Sequence, residues 1–221
     1  VLVGGGDAML SADQLAKLAD LAIEKWQLKR VTGGVRADNS RYSSPLKGPG
    51  WMWDDDPDYY NMPVTPLMLD FNVLELVLSQ DSNGDLVAEK KLAADYPPIE
   101  VVDPSLLPGT RLFWREPGTD TILLARKGDL KKYLDSLEED EVPRLTPRDP
   151  GRWIASVFEK MLEERGVAFH SGPAESNSYG SVATLSLSGK PLAETLRHFN
   201  HKSENAVGEV LLHEIAIAKG V

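Results

Sequence analysis

Helix-spaced apolar residues crowd the two ends of this chain while its middle is punctuated like a run of hairpins, so neither an all-helical nor an all-β architecture accommodates it. Ser11-Ala12-Asp13-Gln14 has the Ser-x-x-Gln form of a capping box, and Leu15, Leu18, Ala19, Ala22, Ile23 and Trp26 recur behind it at three- and four-residue spacing. That predicts an amphipathic helix. Residues 30–37 read as a strand broken by Gly33-Gly34, and 40–63 as a long loop rich in Gly, Pro, Ser, Trp and Asp. Residues 71–78 and 86–92 alternate around Asp81-Ser82-Asn83-Gly84-Asp85, whose Asn-Gly pair suits a hairpin turn. A second hairpin is predicted from 111–115 and 121–126, around Glu116-Pro117-Gly118-Thr119, and 130–141 is a charged, helix-capable or loop stretch.

From residue 147 the texture changes. Asp149 suits an N-cap, Pro150 the first helical position and Gly166 the C-cap, with Trp153, Val157, Phe158, Met161 and Leu162 on one face. Residues 167–169 and 182–187 fit short strands. Two more helices are expected, 191–199 with Leu192, Leu196 and Phe199 inward, and 206–219 with Val207, Val210, Leu211, Ile215 and Ala218 inward. The fold class expected is α/β in the broad sense, more narrowly α+β.

A 221-residue chain that is 42% hydrophobic and 26% charged can bury a core without covalent staples. The absence of Cys removes thiol catalysis, disulfides and Cys-ligated metal centres. A net charge of −10 repels a phosphate backbone, so nucleic acid is not an expected partner. No apolar run approaches the roughly 18 residues of a membrane helix. The opening Val1-Leu2-Val3-Gly4-Gly5-Gly6 reads as a strand already in progress, and the chain stops at Lys219-Gly220-Val221; more polypeptide is expected on each side.

Several motifs imitate chemistry. Gly4-Gly5-Gly6-Asp7 lacks the spacing of a nucleotide loop and reads as a tight turn needing positive φ. Asp54-Asp55-Asp56-Pro57-Asp58 reads as an acidic surface loop, and Asp81-x-Asn83-x-Asp85 lacks the twelfth-position Glu of a calcium loop. His198, His201 and His213 gather near the end, but His213-Glu214 has no second His at metal-binding spacing. No metal and no cofactor are expected. Ser44-Pro45-Leu46-Lys47 matches Ser-x-x-Lys, yet Pro45 and the flanking glycines oppose the helix that would hold the two side chains together. Ser203-Glu204-Asn205 is the best candidate, because it lies in a short link between two amphipathic helices, where both polar side chains can turn into a shared cleft.

The context of that triplet carries a resemblance. Leu192-Ala193-Glu194-Thr195-Leu196-Arg197-His198-Phe199-Asn200, then Lys202-Ser203-Glu204-Asn205, then Glu209-Val210-Leu211-Leu212, resembles the helix, Ser-x-Asn motif and following helix of the serine D-alanyl-D-alanine carboxypeptidases with a large insertion. These are low-molecular-mass penicillin-binding proteins that also act as endopeptidases. Val1-Leu2-Val3-Gly4-Gly5-Gly6-Asp7 is similar to the strand and turn after that family's nucleophile helix, and further echoes fall in order at Val31-Thr32-Gly33, Gly48-Pro49-Gly50-Trp51, Trp53-Asp54-Asp55, and Pro63-Val64 with Leu67 and Asn72. Ala8 and Gly208 stand where the family has Pro and Ala. His170-Ser171-Gly172 imitates the family's basic-residue, hydroxyl, Gly triplet but precedes the Ser-x-Asn motif instead of following it.

The resemblance implies that 1–27 end one part of a penicillin-recognising, β-lactamase-like transpeptidase domain, that 28–146 are β-rich inserted domains, and that 147–221 return to the helical part of that domain. It implies acyl transfer on peptidoglycan stem peptides, with Ser203 as the catalytic proton relay and Asn205 binding the substrate amide, peptidoglycan peptides and β-lactams as partners, and an extracytoplasmic location, or a plastid in a eukaryote. The family's nucleophile Ser-x-x-Lys and its Lys-Thr-Gly triplet are not in this chain, so flanking polypeptide would complete the site. Two other readings fit the same residues: a non-catalytic relative serving as a structural subunit, and a binding module for cell-wall peptides.

Overall fold

The computed structural model describes residues 1–43, 46–139, 141–170 and 183–220. The chain enters through β1 (Leu2–Val3) and β2 (Asp7–Leu10) and turns into α1 (Ala12–Trp26). The capping box forms as expected: Gln14 N donates to Ser11 Oγ at 3.4 Å while Ser11 N donates to Gln14 Oε1 at 3.0 Å, satisfying two otherwise orphaned amides. Leu15, Ala19 and Ala22 are the buried stripe of this helix.

β3 (Arg30–Thr32) and β4 (Ala37–Asp38) follow, and after the long loop comes β5 (Leu67–Leu69). β4 lies parallel to β1 and β5 parallel to β2, so the loop begins and ends beside the first strands. Parallel partners need a long crossover, which is why no local pattern announces them.

The middle is β-rich, as the spacing predicts. β6 (Leu74–Gln80) and β7 (Leu86–Lys90) form the first hairpin, in register from Leu76 opposite Lys90 to Gln80 opposite Leu86. β8 (Ile99–Val102), unannounced by the sequence behind Pro97-Pro98, runs parallel to β10 (Ile122–Ala125), whose other edge takes β9 (Phe113–Trp114) as the second hairpin. Among the described residues of the helix-capable stretch only α2 (Leu130–Asp135) is helical, and β11 (Arg144–Leu145) returns to pair with β6. Leu86, Leu107, Leu112 and Leu124 close a small core of their own here.

α3 (Pro150–Glu164) begins where Asp149 Oδ1 accepts from Arg152 N at 3.0 Å, and it is buried along most of its length. Trp153, Ile154, Val157 and Leu162 pack with Leu15, Ala19, Leu69 and Leu74 into the main core. β12 (Ala168–His170) leaves this helix and pairs with β3 in parallel. α4 (Leu192–Lys202) and α5 (Asn205–Lys219) complete the chain.

Two expectations fail here. Residues 183–187 form no strand, and Val182 lies outside the described residues. Leu192 (62%), Leu196 (40%) and Ile215 (58%) are exposed, as is Ala218, so they do not face inward. The stripe that packs is narrower: half-buried Phe199 from α4, then Ala206, Val207, Val210 and half-buried Leu211 from α5, against Ala8, Tyr42, Met62 and Met68, with Thr195 of α4 also buried. Periodicity identifies which residues are apolar; which side of an apolar helix finds a partner depends on what the rest of the chain brings to it.

Leu15→Ala, a change at a site with no exposure, is expected to destabilise the protein by about 2–5 kcal/mol, whereas Leu192→Ser should stay within about 0.5 kcal/mol. Urea unfolding monitored by tryptophan fluorescence measures both.

Candidate active site

α4 stops because Ser203 takes a left-handed conformation (φ 54°, ψ 36°) while its N–H donates to Phe199 O at 2.9 Å. A left-handed residue other than Gly costs on the order of 1–3 kcal/mol and persists only where its surroundings hold it. They do: Glu204 is extended, Asn205 opens α5, and Ala206 and Val207, next along the chain, have no exposure at all. The start of α5 is nailed to Ala8, Met62, Val64 and Met68, and the link above it stays in solvent. Ser203 and Asn205 are both exposed, and Glu204 between them is half-buried.

Each of the two side chains has a distinct setting. Among the described residues the Ser203 hydroxyl makes no hydrogen bond. Asn205 Nδ2 donates to Tyr60 O at 3.3 Å, which fixes the carboxamide and leaves its oxygen and second N–H available. Beneath α4, Phe71 stacks on His198 with ring centroids 5.3 Å apart. Phe71 is the centre of three successive left-handed residues, Asp70, Phe71 and Asn72, held because buried Asn72 Nδ2 donates to Pro63 O at 2.7 Å and to Thr65 Oγ1 at 3.0 Å.

Comparison with known proteins bears on this arrangement. The family model described as D-Ala-D-Ala carboxypeptidase 3 (S13) matches residues 1–221. The chain belongs to the S13 family. It is 22% identical over 216 residues to D-alanyl-D-alanine carboxypeptidase DacB of Haemophilus influenzae, covering 96% of this chain and 44% of that protein. Penicillin-binding protein 4 (dacB) from the same organism superposes with a TM-score of 0.62 at 18% identity, covering 97% of this chain and 47% of that one. A second structure of that protein, complexed with a β-lactam, gives 0.52 at 17% identity, covering 95% and 44%. These likenesses establish the fold, and the S13 chain spans less than half the length of the relatives it matches.

The remaining candidates fall elsewhere in the S13 chain. Ser44 lies outside the described residues, and Lys47 is paired with Asp56. Ser171 and Gly172 also lie outside them, while His170 ends β12. The three histidines are not brought together as ligands: His198 stacks on Phe71, His213 stacks on Tyr42 at 4.5 Å, and His201 is exposed. No metal-like cluster of His, Asp and Glu occurs among the described residues. Asp81 accepts from Asn83 N and Asp85 N, each at 2.8 Å, so it closes a hairpin turn. Of the glycine turn, which leads into β2, Gly6 takes the positive φ expected, at +85°. Asp56, expected on an open acidic surface, is turned inward onto Arg115; the reading holds for exposed Asp54. Two cavities, about 220 and about 670 Å³, are lined by other residues and do not include Ser203 or Asn205.

A second polar cluster, missed by sequence reasoning, anchors the far end of α5. Arg41 donates to Glu214 through Nε at 2.8 Å and Nη2 at 2.6 Å, and Tyr42 Oη donates to it at 2.9 Å. The φ of +85° at Gly6 favours glycine, and a Cβ there would push the Glu214 carboxylate from its place beside Arg41 and Tyr42. The hydrogen bonds from Arg41 hold the Glu214 carboxyl below the ordinary range, outweighing partial burial, and Tyr42 adds to them. A carboxylate so committed is a brace, not a base. The adjacent Arg41-Tyr42 dipeptide carried no spacing signal because its partner lies far along the chain.

Because Glu214 is depressed in the folded state, its contribution is complete above the ordinary Glu pKa and is lost as pH falls through the depressed value. Glu214→Gln is therefore expected to destabilise the protein at neutral pH and to flatten the acid limb of a stability-against-pH curve, as measured by thermal melts between about pH 3 and 7.

Proposed function

We propose that this chain is the central portion of a serine-type D-Ala–D-Ala carboxypeptidase or endopeptidase acting on peptidoglycan stem peptides through an acyl-enzyme. The observation that carries the reading is the exposed link between α4 and α5, where a free hydroxyl and an oriented carboxamide stand two positions apart in a chain of this family. In the proposed reaction a serine from polypeptide outside these 221 residues attacks the carbonyl carbon of the penultimate D-Ala, and a lysine beside it takes the hydroxyl proton. Collapse of the tetrahedral intermediate breaks the amide bond. Ser203, which donates and accepts at once, relays a proton to the departing D-alanine nitrogen, and water then hydrolyses the ester.

Asn205 offers what a peptide backbone asks for. With one N–H given to Tyr60 O, its oxygen can accept from a substrate amide N–H while the second N–H donates to a carbonyl. Residues 28–146 are assigned to the insertion and 147–221 to the helical part of the transpeptidase-like domain. β-Lactams would occupy the same site, by analogy with the related structure that contains one. The proposed location is extracytoplasmic. The net charge of −10 argues against nucleic acid as a partner. No helix among the described residues is long and apolar enough to cross a membrane.

Labelled penicillin applied to the complete natural polypeptide tests the reading. One covalently labelled serine is expected, outside the residues of this chain. Ser203→Ala should lower release of D-alanine from a pentapeptide by about 10²–10⁴-fold with the fold intact by melting temperature. A polypeptide that acquires no label on any serine would be a non-catalytic relative or a binding module instead.

A further inference from the structure

Pro57 is buried and the Asp56 side chain only 16% exposed, so the acidic loop is drawn inward at its centre. Against it lies Arg115, whose side chain has no exposure. Its guanidinium donates through Nη1 to Asp56 Oδ2 at 2.8 Å and Thr119 O at 3.0 Å, through Nη2 to Asp56 O at 3.2 Å, and through Nε to Thr146 O at 2.9 Å. Lys47 pairs with the other carboxylate oxygen. Thr146 adds two bonds, its hydroxyl to Asp56 O at 2.9 Å and its N–H to Pro57 O at 3.0 Å. Arg144 lies over the Tyr59 ring at 3.6 Å. Segment 56–59 is thus bound to two parts of the β-rich middle, the turn 115–119 and the strand end 144–146.

The same segment runs straight into the one-turn helix Tyr59–Asn61. Its Tyr60 carbonyl is the group that orients Asn205, and Asn61 Nδ2 donates to Met52 O at 2.6 Å. Burial disfavours a charged Asp56, yet Lys47 and Arg115 outweigh it and hold the carboxyl below its ordinary range, so the pair stays ionised. An ion pair this dry, with four of the five guanidinium N–H groups bonded, fixes geometry more than it adds stability. Four residues along the chain from Asp56, a carbonyl inherits that geometry.

We propose that Arg115 is a positioning residue for Asn205: it acts through Asp56 and the Tyr59–Asn61 turn, so that the β-rich middle of the chain sets the orientation of the amide-binding carboxamide. This rests on the function proposed above. Arg115 touches no substrate in this scheme. Its effect must therefore travel through Asn205, and a double-mutant cycle exposes that dependence.

The experiment uses the complete natural polypeptide and a D-Ala–D-Ala pentapeptide. Arg115→Met is expected to lower kcat/KM by about 10- to 100-fold when Asn205 is present and by less than about 2-fold in an Asn205→Ala background. An equal loss in both backgrounds, or no loss in either, overturns the proposal. Should Arg115→Met fail to fold, Asp56→Asn takes its place in the cycle with the same expected pattern. Amide hydrogen exchange reads the mechanical link without catalysis. The substitution should speed exchange at Asp58 and Asn61 by about ten-fold or more and leave α1 unchanged, while unchanged rates at both amides overturn the proposal. A wild type that releases no D-alanine would defeat the catalytic reading, and the exchange rates would then decide the link from Arg115 to the turn.

Discussion

A guanidinium shut off from water needs partners for its donors, and Arg115 places four of its five N–H groups on acceptors from its own turn and from two distant stretches of chain. Asp56 comes from the long loop, Thr119 from a hairpin turn and Thr146 from the approach to α3. Remove Asp56 and the charge is left uncompensated in a dry place; remove either carbonyl and a buried N–H goes unpaired, which is why the three stretches must arrive together. The long loop, otherwise poor in regular structure, acquires a defined path from this one group. Its carbonyl at Tyr60 then stands against Asn205.

The opposite side of the candidate site is held by packing instead of charge. Ala206 and Val207 are sealed under the start of α5, and Phe71 is stacked beneath His198 in α4. Between these two supports the link at Ser203 keeps a left-handed backbone and an open hydroxyl. An exposed pair on rigid supports is what a site needs: the side chains are free to meet a ligand while the backbone carrying them is not free to drift. At the far end of α5 the Glu214 cluster does similar service, tying the helix to the glycine turn and to Arg41 and Tyr42.

The S13 chain alternates in texture, with helices toward both ends and β-rich structure between. It matches under half of the relatives' length. The exposed Leu192, Leu196, Leu212 and Ile215 sit on the helices that carry the candidate site, on sides turned away from the seam where Phe199, Ala206, Val207 and Val210 pack.

Local chemistry was enough to read some features. The capping box at Ser11, the Asp149-Pro150 helix start, the Asn-Gly hairpin and the position of Ser203 and Asn205 at the junction of two helices all depend on residues within a few positions of one another, where spacing and side-chain type decide the outcome. The parallel pairings of β1 with β4 and β3 with β12, the strand β8, the inward turn of Asp56, the Tyr60 carbonyl and the outward sides of α4 and α5 were not legible, because each depends on what a remote segment places alongside. Helix periods and turn residues are properties of short stretches and survive translation into structure. Burial, ion pairing and the orientation of a carboxamide are properties of neighbours, and only the folded chain chooses those.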